Sequence, residues 1–191
     1  MSKTLHICSS SKQRQSILSM HNVPFKIIKN QLVLEPKQMV NEHPMDLVVR
    51  VAFEKVRASK NNYSGIIMGA DTMIAHGHSL YGKPECEMDA LNMLKRLSGK
   101  KHMAITACVL FDVDTSHWRC CIDYATVSFR HTEISELNDY IKAHHPIDKA
   151  GGYGIQDSPS FIDKICGDYY TVMGLPINRL LKIFSCYGIV K

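Results

Sequence analysis

Six places in this 191-residue chain carry side chains able to do phosphate or metal chemistry. The first is Ser9-Ser10-Ser11-Lys12-Gln13-Arg14, read as a strand-to-helix junction. Exposed N–H groups at a helix N-terminus favour anions, and hydroxyls with a cation one turn in add donors for phosphate oxygens. A routine serine cap uses the same residues, and the glycines and Gly-Lys-Ser/Thr ending of a P-loop are absent. The second is Gly69-Ala70-Asp71-Thr72, closing the most apolar run. A carboxylate at the carboxyl end of a buried strand lies where α/β sheets place ligands. Asp71 can bind a divalent cation or accept a proton from water; it can equally be a turn former. Gly82-Lys83-Pro84 presents a lysine from a defined loop. Lys55 follows Val51 and Ala52 on a helix, where it either snorkels to solvent or supplies another phosphate cation. Glu35, in a polar connection, is a candidate second carboxylate for a metal. Last, Ala150 to Asp157 holds three glycines in four residues. Such glycines let backbone approach a ligand closely, as they also would in a plain surface loop. Gln156 there offers a donor and an acceptor to a base edge. His76, His78, His144 and His145 have no fixed ligand spacing and read as surface residues.

These residues need elements to hold them. Thr4 to Cys8 reads as a first strand, and Ser11 caps a helix from about Gln13 to Met20. Pro24 to Ile28 reads as a short strand. Pro44 opens a helix to about Ala58, with Leu47, Val48, Val51, Ala52 and Val56 inward. Gly65 to Ala70 has the pattern of a fully buried strand. Met73 to Ala75 and Ser79 to Tyr81 flank the hairpin turn His76-Gly77-His78. Met88, Leu91, Leu94 and Leu97 mark an amphipathic helix ended by Gly99. His102 to Val113 and Trp118 to Arg130 are two long strands. Ile134 to Ala143 is helical until Pro146 stops it. The glycine-rich loop, Gly151 to Ser160, precedes two short strands, and a last helix opens at Pro176 and runs towards Phe184. This irregular alternation predicts an α/β fold with a mixed sheet flanked by helices.

The length suits one domain spanning residues 1–191, or one pinched into two lobes. Apolar residues make up 45% and charged ones 21%, which excludes a disordered chain. The net charge is +5, but the basic residues are scattered, with Lys100-Lys101 the longest run. That argues against a nucleic-acid partner, which draws on a clustered basic face. No apolar run is long enough to span a membrane or form a signal-peptide core. Seven cysteines, an odd number without a C-x-x-C pair, fit reduced thiols in a cytoplasmic protein.

The order and spacing of the blocks add what no block carries alone. The series S-x-S-x-x-R, a distant Glu, A-x-x-K, G-A-D-T, G-K-P, L-S-G-x-x-H, G-G-Y-G-I-Q and G-L-P resembles the Maf family of nucleotide pyrophosphatases. It runs through Ser9 to Arg14, Glu35, Ala52 to Lys55, Gly69 to Thr72, Gly82 to Pro84, Leu97 to His102, Gly151 to Gln156 and Gly174 to Pro176. The resemblance implies a mixed, twisted α/β sheet akin to inosine triphosphate pyrophosphatases, in two lobes with a central cleft. It also implies hydrolysis of a nucleoside triphosphate to monophosphate and pyrophosphate with Mg²⁺ or Mn²⁺. The catalytic carboxylate falls on Asp71, and the metal on Asp71 and Glu35. Ser9, Arg14, Lys55 and Lys83 take the triphosphate. Thr72, Gln156 and Gln13 fall on positions linked to substrate choice. The block AGGYGIQ with GDYYTVMGLP looks like the dTTP/UTP branch, although Gln13 stands where that branch has arginine and Asp157 where the family has glycine. A homodimer is compatible with the resemblance. A rival reading uses the same pocket in a nucleotide-binding regulator of cell division with little hydrolysis.

Overall fold

The computed structural model describes residues 3–32, 36–60, 63–157 and 159–190. Along the chain run β1 (Leu5–Ile7), α1 (Lys12–Met20), β2 (Lys26–Ile27), α2 (Pro44–Ser59), β3 (Ile66–His76), β4 (Ser79–Tyr81) and α3 (Glu87–Leu97). β5 (Lys101–Asp112), β6 (His117–Phe129), α4 (Ile134–His144), β7 (Ile162–Cys166), α5 (Tyr169–Met173) and α6 (Ile177–Cys186) follow. The strands form a mixed sheet in the order β2-β1-β3-β5-β6-β7, with β4 paired to β3. The chain divides into two compact units, and β3, β5 and β6 each pass from one into the other.

The first unit comprises Met1–Asp71, Thr106–Asp123 and Gly174–Lys191. Here β1 runs parallel to both β2 and β3, with Leu5 opposite Ile66 and Ile7 opposite Met68. Helix α2 starts where the sequence predicts, with Pro44 in its first turn, Asp46 near its positive end and Arg57 near its negative end. Its buried stripe is Leu47, Val48, Val51, Ala52, Lys55, Val56 and Ser59. Lys55 lies one turn beyond Val51 on that stripe, so the helical period turns a cation inward. Ile17, Leu18, Val109, Leu110, Leu175, Leu180 and Phe184 complete this core.

The second unit comprises Thr72–Ile105 and Tyr124–Met173. The β3–β4 hairpin pairs Ile74 with Tyr81, and β7 lies antiparallel to β6. Its core gathers Ile74, Leu94, Leu97, Val127, Phe129, Leu137, Tyr140, Tyr153 and Phe161. The glycine-rich segment forms 3-10 turns, Ala150–Gly152 and Ile155–Asp157. Among the described residues one strand, β7, follows it where two were expected. Residues 169–173 are helical because Asp168 Oδ2 accepts from both the backbone N–H and the hydroxyl of Thr171, each at 3.1 Å. That local cap outweighs the strand preference of two adjacent tyrosines. Among the described residues no helix is long and apolar enough to cross a membrane.

Candidate active site

Asp71 lies inside β3 rather than after it. The segment of β3 paired with β1 ends near Met68, and the strand then continues as one arm of the hairpin with β4. Asp71 is 7% exposed, and its Oδ1 accepts a hydrogen bond from Lys55 Nζ at 2.7 Å. Both side chains are buried, at 8% exposed for Lys55 and 10% for Asp71. The reason α2 comes so close is Gly69. A Cβ there would lie 2.6 Å from the Ala52 carbonyl oxygen and 2.8 Å from Val56 Cγ2. Only a residue without a side chain lets helix and strand approach to that distance.

The register that sets Ile7 opposite Met68 carries the Ser9–Arg14 segment and Asp71 to the same, carboxyl, end of the β1–β3 pair. The Cys8 backbone N–H extends that register to the Met68 carbonyl at 2.8 Å. Ser11 caps α1, its hydroxyl accepting from Arg14 N at 3.4 Å. Ser9 Oγ accepts from Ser11 N at 3.2 Å and from Arg14 Nη1 at 3.3 Å. Arg14 Nε donates to the Gly174 carbonyl at 2.8 Å, so two bonds fix the guanidinium plane. Gln13 Oε1 accepts from the Ser11 hydroxyl at 3.0 Å, which turns its carboxamide towards the cap. The thiol of Cys8, beside Ser9, is no nucleophile: burial pushes its pKa up to about 11, against a smaller opposing effect of the Ser59 hydrogen bond.

In the second unit Thr72 follows Asp71 on β3 and points to the opposite face, half-buried. Lys83 is exposed between Gly82 and Pro84. The Gly82 carbonyl accepts from Gly151 N at 2.9 Å, which ties the lysine loop to the glycine-rich turns. Gln156 is exposed on the second of those turns. Its neighbours are firmly held. Gly154 N donates to the Tyr140 hydroxyl at 2.9 Å, and that hydroxyl donates to Asp157 Oδ2 at 3.0 Å. Burial raises the Tyr140 pKa, with the Asp157 charge adding to it, so the hydroxyl keeps its proton.

The sequence of this chain matches the model of the Maf-like protein family over residues 4–186. The chain belongs to the Maf-like family. A dTTP/UTP pyrophosphatase of Clostridioides difficile (strain 630) is 39% identical over 189 residues, covering 95% of this chain and 93% of its own. One from Aquifex aeolicus (strain VF5) is 36% identical over 182 residues, covering 93% and 92%. Among solved structures, a nucleoside-triphosphatase/dITP/XTP pyrophosphatase of Mycobacterium abscessus aligns over 98% of both chains at 14% identity and a TM-score of 0.40.

In this Maf-like chain the first unit brings together Ser9, Gln13, Arg14, Lys55 and Asp71, while Thr72, Lys83 and Gln156 belong to the second. Glu35 lies outside the described residues. Among the described residues no group of three or more His, Cys, Asp or Glu could hold a metal ion by itself. Sequence reasoning named Gly174 within the G-L-P block but not the carbonyl that orients Arg14, and it missed Tyr140 and Lys149, which brace the glycine-rich turns. A tyrosine three residues beyond Leu137 on the buried face of α4 looks like core, and its polar end gives no signal in the sequence.

Proposed function

We propose that the chain hydrolyses a nucleoside triphosphate, dTTP, UTP or a modified pyrimidine nucleotide, to the monophosphate and pyrophosphate. The observation that carries this is the buried Lys55–Asp71 pair at the same carboxyl strand end as the Ser9–Arg14 anion cradle. Relatives 36–39% identical over nearly the whole chain, named as dTTP/UTP pyrophosphatases, support it. Asp71 orients the attacking water and accepts its proton as the oxygen closes on the α-phosphorus. Lys55 holds that carboxylate in one orientation, and Arg14 offers a planar fork to phosphate oxygens. Ser9 positions the fork. Lys83 adds a cation for the departing pyrophosphate, and Thr72, Gln13 and Gln156 contact the base; for these the support is the family resemblance. Most of the rate gain is positioning and electrostatics.

A Mg²⁺ or Mn²⁺ ion suits this donor set. Magnesium keeps several waters and takes one or two protein carboxylates plus substrate phosphates, so Asp71, joined by Glu35, is enough protein to hold it. When bound, it would neutralise charge developing on the phosphates. The test is release of pyrophosphate and monophosphate from a panel of canonical and modified triphosphates, with Mg²⁺ and Mn²⁺ compared. Pyrimidine triphosphates should turn over fastest, and Asp71→Asn should slow turnover at least about 10²-fold with the fold intact. Tight binding with no turnover would point to a regulator instead, and a fully active Asp71→Asn would remove Asp71 from the centre of the reaction.

A further inference from the structure

We propose that Tyr140 is a positioning residue for Gln156, its buried hydroxyl pinning the turn that presents the Gln156 carboxamide to the base. This rests on the nucleotide reading above and adds a residue that the reading does not contain. Gln156 is exposed and belongs to a short 3-10 turn anchored on one side by the buried Ile155. The hydroxyl of Tyr140 is the hub beneath it. It accepts from Gly154 N, two residues before Gln156, at 2.9 Å, and donates to Asp157 Oδ2, one residue after, at 3.0 Å. The Asp157 N–H closes the turn onto the Gly154 carbonyl at 3.2 Å. Both flanks of Gln156 are thus tied to one atom.

That atom comes from a rigid element. Tyr140 is 8% exposed on α4, and its ring stacks edge-on against Phe161 at 5.0 Å between centroids. Lys149 Nζ adds a longer ion pair to Asp157 Oδ2 at 3.8 Å. The clamp closes tightly enough that a Cβ on Gly154 would lie 2.6 Å from both Asp157 Oδ2 and Lys149 Cε. Where a glycine would leave this turn to its own conformational freedom, Asp157 supplies the acceptor that holds it. A preorganised amide loses less freedom when it meets a base edge, so the clamp should act on nucleotide affinity rather than on the chemical step.

The experiment is a double-mutant cycle read by steady-state pyrophosphate release from dTTP, with Tyr140→Phe, Gln156→Ala and the pair. Tyr140→Phe should raise KM about 3- to 10-fold, the worth of one hydrogen bond, and leave kcat within about 2-fold. In the Gln156→Ala background, where KM is already raised, the same change should add nothing. Asp157→Asn, which keeps an acceptor, should behave nearly as wild type, whereas Asp157→Ala should repeat the Tyr140→Phe effect. If Tyr140→Phe does not fold, Asp157→Ala takes its place in the cycle. An unchanged KM in the folded variant, an unchanged KM in Gln156→Ala, or a full KM effect persisting without Gln156 overturns the inference alone. A wild-type protein that releases no pyrophosphate from any nucleotide defeats the function proposed above and this inference with it.

Discussion

Gly69→Ala probes the link between packing and chemistry most directly. The added methyl group would lie 2.6 Å from the Ala52 carbonyl oxygen, 2.8 Å from Val56 Cγ2 and 3.2 Å from Lys55 Cβ. Carbon and oxygen settle at about 3.3 Å or beyond, so α2 and β3 must part by roughly 0.7 Å. The nearest obstacle is helix backbone, which cannot rotate away. Overpacking of this kind costs about 1–3 kcal/mol, less about 0.5 kcal/mol recovered from the stiffer unfolded chain. In a protein of this size the melting temperature should fall by about 2–8 °C. Lys55 and Asp71 sit on the two elements being forced apart, and their bond is only 2.7 Å long. Stretched to about 3.4 Å it is no longer a good hydrogen bond, so turnover should drop about 10-fold or more. Thermal melts and pyrophosphate release from the same preparation measure both. Gly82→Ala, where a Cβ meets nothing within 4 Å, is the control for melting. A Gly69→Ala protein that melts within about 1 °C of wild type and turns over normally would refute the close-approach argument.

Arg14→Lys keeps the charge but loses the Nε bond to the Gly174 carbonyl; KM should rise about 10-fold, and an unchanged KM would show that the fork geometry is idle. Burial, with a smaller push from His76, lowers the His102 pKa to about 4 from 6.5. The unfolded chain therefore takes the proton first, and the stability present above pH 6.5 is lost as pH falls towards 4. Urea melts should show His102 costing about 2 kcal/mol between pH 7 and pH 5, a dependence that His102→Gln removes. An equal pH dependence in the variant would assign the loss to other groups. Cys8, Cys108 and Cys121 are buried with raised pKa values, whereas Cys86, Cys120, Cys166 and Cys186 are exposed. Iodoacetamide followed by mass spectrometry should label the exposed four in the native protein and the buried three only in denaturant, and native labelling of Cys8 would contradict its placement.

The helices were legible because their apolar stripes repeat at helical spacing and their ends carry clear signals. Pro44 starts α2, and Pro146 opens the 3-10 turn that follows the end of α4. The candidate residues were legible as types, but their relationships were not. Lys55 and Asp71 are 16 residues apart, and nothing local says that one turn of α2 will face one residue of β3. Asp71 was expected after a strand because a lone carboxylate breaks an apolar run. β3 continues through it because the hairpin with β4 supplies the backbone partners that follow. Two short strands were expected after the glycine-rich loop, but β7 is followed by a helix over Tyr169–Met173 that the cap from Asp168 starts.

The interleaving of the two units has a consequence for synthesis on the ribosome. The chain changes unit at 71/72, 105/106, 123/124 and 173/174, so the first unit is not complete until α6 emerges with Ile177, Leu180 and Phe184, all buried. β1, α2 and the start of β3 must therefore wait while about 100 further residues are made, roughly 5 to 20 s at ordinary elongation rates. During that interval the first unit lacks the buried side chains that α6 brings. The nascent chain is thus an expected client for chaperones that shield exposed apolar segments, and slower translation would lengthen that exposure rather than help folding.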